Sequence, residues 1–182
     1  LKVFCQDDIT VQVICHPGFK EIHMSGFCEN STGEGMFSQA DAILKQYGYS
    51  FHHVVRTWIY LPDIAKDYHD FNQVRNRYFD ECSLEKLPAS TGIGGLHPEP
   101  HTRWFMDLYG IEGLDPHQVV PMHTATLNEA PEYHSRFSRG LAVHFADEIR
   151  LYVSGTASID EKGRTIHRDI EKQLDRMFLN IG

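Results

Sequence analysis

The sequence has no C-x-x-C pair: Cys5, Cys15, Cys28 and Cys82 stand too far apart for one. A zinc site or a thioredoxin-type couple is therefore unsupported, and no metal is expected. Unpaired cysteines also fit a reduced, cytoplasmic setting. Positive charge is scarce as well. Seventeen Lys and Arg face 25 Asp and Glu, a formal net charge of −8, and no basic stripe is visible. A nucleic-acid partner held by its phosphates is thereby not expected. No apolar run approaches a membrane span, so no membrane partner is expected either. The chain opens Leu1-Lys2-Val3, with neither a methionine nor a signal peptide, and reads as trimmed or partial.

What is present is enough for a core: 41% of the 182 residues are hydrophobic. Val11, Val13 and Cys15 alternate, and His16-Pro17-Gly18 turns the chain into Phe19 to Phe27, a hairpin. From Gly35 to Gly48 the apolar residues Met36, Phe37, Ala40, Ile43, Leu44 and Tyr47 mark one helix face, closed by a glycine C-cap. Val54 to Leu61 alternates as a strand. Asp63 then caps a second helix whose buried face is Ile64, Tyr68, Phe71, Val74 and Tyr78. A glycine-rich segment, Leu87 to Gly95, and an alternating strand, Arg103 to Ile111, follow. Asp115 to Ser138 carries three prolines and three histidines and reads as a connector without packed elements.

The chain then repeats itself. Gly140 to Ser158 is a second hairpin, and a third helix face runs Ile166, Ile170, Leu174, Met177, Phe178, Ile181. Ser154-Gly155 after the strand matches Ser25-Gly26, and the helices align without a gap, Gln39 with Gln173, Asp41 with Asp175 and Gly48 with Gly182. These matches read as an internal duplication, against the alternative that two amphipathic helices after strands resemble each other by chance. The boundaries follow: a first copy over 1–113, a connector over 114–139, and the first half of a second copy over 140–182. Half a domain buries an amphipathic helix poorly. The third helix is expected to be covered by further residues of a longer chain, by the first copy or by another subunit.

The hairpin, the Ser-Gly corner, the helix, then Val54-Val55-Arg56-Thr57-Trp58-Ile59-Tyr60-Leu61-Pro62-Asp63, Phe71-x-x-Val74-x-x-x-Tyr78-Phe79 and Leu87-Pro88-Ala89 resemble the RidA/YjgF superfamily, also labelled L-PSP endoribonuclease-like. The resemblance implies an α+β fold of the chorismate-mutase-like kind, a sheet packed by helices, with a second partial copy. Pro88 to Gly95, Phe137-Ser138-Arg139 and Val153 to Ile159 are similar to the tandem-copy chorismatase branch. That branch implies a hydrolase of chorismate or a similar small carboxylate, without a cofactor, and a homo-oligomer, typically a trimer. A reactive enamine or imine deaminase and a non-catalytic module for ligand binding or oligomer assembly stay as alternatives.

Carried over residue by residue, the family's deaminase site is mostly absent. Ser90 stands where the family has a carboxylate-binding arginine, and Arg75 where it has asparagine. Tyr109 replaces an acid on the last strand, with Asp107 two residues earlier; only Ser25 is kept. No catalytic residue is assigned. The expected substrate-binding set is Ser154, Gly155, Ser90, Thr91, Gly92, Arg75 and Ser25. Two features stay open in the residues alone. Ser90 to Gly95 is either an anion-cradling turn or an edge strand. Ser154, Thr156 and Ser158 either line a pocket or cap the Asp160-Glu161-Lys162-Gly163 turn, the resemblance favouring the pocket for Ser154. His97-x-x-x-His101, interrupted by Pro98 and Pro100, reads as a solvated loop.

Overall fold

The computed structural model describes residues 2–6, 9–29, 34–98 and 102–181. Period-two alternation builds the first sheet. In β2 (Ile9–Cys15), after a short β1 (Lys2–Gln6), Ile9, Val11 and Val13 are buried; β3 (Lys20–Glu29) sets Met24 opposite Val11 and Ile22 opposite Val13. That apolar face is covered by α1 (Glu34–Gln46), through Met36, Phe37, Ala40, Ile43 and Leu44. Gly48, at φ +82°, ends the helix as expected, since a side chain at that φ would be strained.

β4 (Val54–Leu61) has the expected bounds, and Asp63 caps α2 (Ile64–Glu81) by accepting from the Lys66 amide at 3.3 Å. The helix makes the crossover that a parallel pair requires: β5 (Ala89–Gly94) runs parallel to β4, and β6 (Trp104–Glu112) lies antiparallel between β3 and β4. The sheet order is β1-β2-β3-β6-β4-β5. The glycine-rich segment is thus an edge strand of this sheet. Its amides are used in structure: Ser90 N donates to Ser154 Oγ, and Gly95 N to Leu61 O.

The 114–139 segment departs from expectation. It carries β7 (Val119–Met122), which pairs with β8 (Gly140–His144), and its Leu127, Ala130 and Phe137 are buried. With β9 (Ile149–Val153) these strands form a second sheet, β7-β8-β9. Leu141 and Val143 pack on Val55, Tyr109 and Ile111 of the first sheet, and Tyr152 donates to the Tyr109 hydroxyl at 3.2 Å. Glu21, 6% exposed, is gripped there by Arg150.

The helix α3 (Ile170–Ile181) starts later than its apolar spacing predicts: Ile166 lies outside it, because Asp169 accepts from the Lys172 amide and begins the first turn. Its polar edge faces inward. Asn180, 2% exposed, donates to the carbonyls of Ala157 and Ile159, and Arg176 Nε to that of Ile159. Ile170, Leu174 and Phe178 point outward, Ile170 at 76% exposure. The two halves share the order of three antiparallel strands and a helix, but α1 lies on its sheet and α3 stands away from its own. No described helix is long and apolar enough to cross a membrane.

Candidate functional site

The two sheets meet at the edge of β5. Ser138 N donates to Pro88 O at 3.0 Å, and Ala89 bridges Ser138 in parallel register. One turn of bonding later, Gly155 N reaches both Ser90 O and Thr91 Oγ1, at 3.1 and 2.9 Å. Ser154 Oγ accepts from Ser90 N at 2.8 Å and donates to Ser138 O. A Cβ on residue 155 would sit 2.5 Å from Thr91 Cγ2, so only glycine permits this approach. The seam is therefore written into the Ser-Gly pair: the hydroxyl ties two strands and the glycine lets a third come close.

Beside that seam lies a cleft of about 780 Å³, floored by β5, walled by α2 and closed by the 133–139 and 155–163 segments. Ser90, Thr91, Gly92, Gly155 and Arg75 all line it, with Ser154 buried immediately behind. Six of the seven residues expected from the sequence thus come together. Ser25 does not. It borders a separate cleft of about 390 Å³ on the opposite face of the first sheet, with His23, Trp58, Tyr60 and Asp107. Burial holds the His23 imidazole below its ordinary value there, against the opposing field of Glu21. Asp107 accepts from Tyr60 OH at 3.1 Å and Gly26 N at 3.3 Å. The separation is topological: Ser25 lies inside β3 of the first sheet, at the irregularity between Met24 and Phe27, whereas Ser154 follows β9 of the second.

The electrostatics of the larger cleft are one-sided. Arg75 is 3% exposed and Arg139 7% exposed, and their guanidinium carbons lie 5.2 and 5.6 Å from the centre of the same Phe137 ring. Arg75 donates to Asn72 Oδ1 at 2.5 Å, while its buried Nε has no protein acceptor. Burial pulls this guanidinium below its ordinary value, partly offset by the Tyr68 hydroxyl. Arg139 donates through Nε and Nη2 to Asn128 O and also lies 5.3 Å from the Tyr133 ring. Burial pushes the Tyr133 phenol up to about 12, with Arg139 opposing. Lys162 completes the set of cations at the rim, and among the described lining residues there is no Asp or Glu. Ile59, Phe71, Phe137 and Met177 supply an apolar interior.

Just behind the seam, Arg56 Nη2 donates to Thr91 Oγ1, and burial lowers its guanidinium to about 10. Arg56, Trp58 and Tyr60 share the sheet face away from the helices: Arg56 is buried and stacked over Trp58 at 5.0 Å, and both aromatics are half-buried. Thr156 lines the cleft but Ser158 does not, and the 160–163 turn is held by Asp160 itself, which accepts from Lys162 N. Tyr133 and Lys162 were not singled out from the sequence, since neither falls in a periodic stretch. Arg139 stood in Phe137-Ser138-Arg139, whose two aromatic and basic members turn out to be stacked. His101 lies outside the described residues.

Comparison with known proteins gives a consistent fold. Residues 23–97 match the Endoribonuclease L-PSP family. A chorismatase of solved structure aligns with 99% of this chain at 19% identity and a TM-score of 0.73. The alignment takes in 57% of that protein, so this chain spans little more than half its length. A YjgF-family protein from Neisseria meningitidis aligns with 57% of the chain and 87% of its own, at 19% identity and a TM-score of 0.46. Yeast Mmf1 aligns with 56% and 85% respectively, at 18% identity and a TM-score of 0.43. No match was found among curated proteins. The chorismatase likeness shows a shared fold; the two partial matches add no weight to it.

Proposed function

We propose that this chain is a member of the Endoribonuclease L-PSP (RidA/YjgF) superfamily, whose family model matches residues 23–97, and that its cleft holds chorismate or a similar small cyclic carboxylate, as part of a chorismatase-like hydrolase. One observation carries this: two buried guanidinium groups, Arg75 and Arg139, flank Phe137 in a cleft whose described lining has no carboxylate. A buried charge without a counter-ion is costly, and a ligand carboxylate provides one in a bidentate geometry suited to the guanidinium fork. The apolar walls then hold the ring of the ligand and exclude water, which strengthens each charge contact.

The chain's residues bind and orient such a ligand more plainly than they turn it over. Hydrolysis needs proton transfer, and among the described lining residues there is no Asp, Glu or His. The Tyr133 phenol, held near 12, stays protonated at neutral pH and acts as a donor rather than a base. This favours, as a second reading, a non-catalytic module that binds small carboxylates. Nothing in the geometry favours the enamine deaminase, since Ser90 is buried and its hydroxyl accepts from Thr57 at 2.9 Å. The proposal includes a homo-oligomer, the trimer of the resemblance, for which the outward apolar face of α3 is the supporting feature.

Isothermal titration with chorismate and with its dimethyl ester tests the proposal. The acid is expected to bind at least about tenfold more tightly, a difference of ~1.4 kcal/mol. Equal affinities would remove the charge-based reading. Pyruvate release in the same samples separates a hydrolase from a binding module.

A further inference from the structure

Cys28 and His97 form a second chemical group that the cleft does not use. Cys28 lies near the end of β3, directly opposite Phe105 of β6, and Phe105 in turn is opposite Tyr60 of β4. The Phe105 and Tyr60 rings are stacked, 4.3 Å apart and 7° from parallel. After β5 the chain continues over this stack: Gly95 N bonds to Leu61 O, and the Gly95 backbone passes close to the Tyr60 ring. His97 then lands with its imidazole edge-on to Phe105, at 5.1 Å and 66°. Its Nε2 is 3.4 Å from Cys28 Sγ. Four elements therefore converge on one thiol–imidazole contact beside a flat aromatic surface. Cys28 is half-buried, and its Sγ also lies 3.4 Å from Gly26 O, to which the thiol donates.

We propose that Cys28, with His97 as its base, is a covalent modification site for planar α,β-unsaturated carbonyl compounds. The thiolate is the nucleophilic form of cysteine, and an adjacent imidazole is the usual group that generates it. In the addition, Sγ forms a bond to the β-carbon and the π electrons move to the α-carbon as an enolate. The thiol proton passes to His97 Nε2 and from there to the α-carbon. The thiol is added across the double bond and no other reactant is consumed.

Exposure and base assistance order the cysteines differently, which makes the proposal testable. Cys15 is exposed, while Cys28 and Cys82 are both half-buried. Brief labelling with N-ethylmaleimide, followed by peptide mass spectrometry, gives a rate for each. Cys28 is expected to react at least about tenfold faster than Cys15 and Cys82. His97→Gln is expected to remove that advantage while leaving the Cys15 rate and the fluorescence of buried Trp104 unchanged, which reports an intact fold. Labelling in the order of exposure, with Cys15 first, overturns the proposal. So does a Cys28 rate that His97→Gln leaves unaltered.

Discussion

Arg75→Met is expected to weaken chorismate binding about thirtyfold while raising the melting temperature. The two effects have one cause. Arg75 is buried against Phe71 and Phe137, with Nε unsatisfied and no described carboxylate beside it, so Asn72 and the rings offset its desolvation only in part and a ligand carboxylate would offset more. Methionine fills similar space without the charge, and such replacements of buried ions are commonly neutral or stabilising, by ~1 kcal/mol or more. Loss of one charge-assisted contact to the ligand costs about 2 kcal/mol in affinity. Differential scanning fluorimetry and titration calorimetry on the same preparation read both. Lower stability with unchanged affinity would make Arg75 a structural residue.

Phe37→Ala is expected to destabilise the chain by about 3–5 kcal/mol, a large share of the 5–15 kcal/mol that a domain of this kind possesses. Phe37 is the ring on which α1, α2 and the 51–53 turn converge. Its centre lies 5.2 Å from Tyr78, 5.8 Å from Phe79, 5.9 Å from Phe51 and 6.1 Å from Phe71. Phe71, Tyr78 and Phe79 are held on α2 and Phe51 on the 51–53 turn, so the space left by the ring closes poorly. Urea unfolding measures the change as a lower midpoint at constant slope. A loss under about 1 kcal/mol would show that α1 and α2 slide together to fill the gap.

The first sheet was legible because its signals are local. Alternation over Val54 to Leu61 and the Asp63 cap specify a strand and a helix start without reference to the rest of the chain. β7 was hidden by Pro121, which usually argues against a strand. As an edge strand of a three-stranded sheet β7 tolerates a missing amide, and β8 beside it supplies the pairing. β1 is a short edge strand with too few residues for a periodic signal. The start of α3 was misplaced because Ile166 has the right spacing, whereas the Asp169 cap decides the boundary.

The cleft was legible to the extent that it is made by strand ends. Ser90 to Gly92 and Ser154-Gly155 are contiguous motifs, and both belong to the seam. Arg139 and Arg75 are 64 positions apart, and only folding places Phe137 between them. The same limit applies to Cys28 and His97: no spacing rule links two residues joined by the course of β5 over an aromatic stack. Ser25 shows the converse. Repetition of its motif made it equivalent to Ser154, but Ser25 lies inside a strand of the other sheet and borders a different cleft.

The outward face of α3 and the surplus of acidic residues act against each other. Ile170, Leu174 and Phe178 form an exposed apolar patch, and burying it against a second copy would gain free energy. The net charge of −8 resists that meeting, but only over the Debye length, about 10 Å at 0.1 M salt. Electrolyte concentration is therefore a dial on the colloidal state of this chain. In dilute buffer, mutual repulsion is expected to hold the apolar helices apart, and added salt to withdraw that repulsion while leaving any adhesion in place.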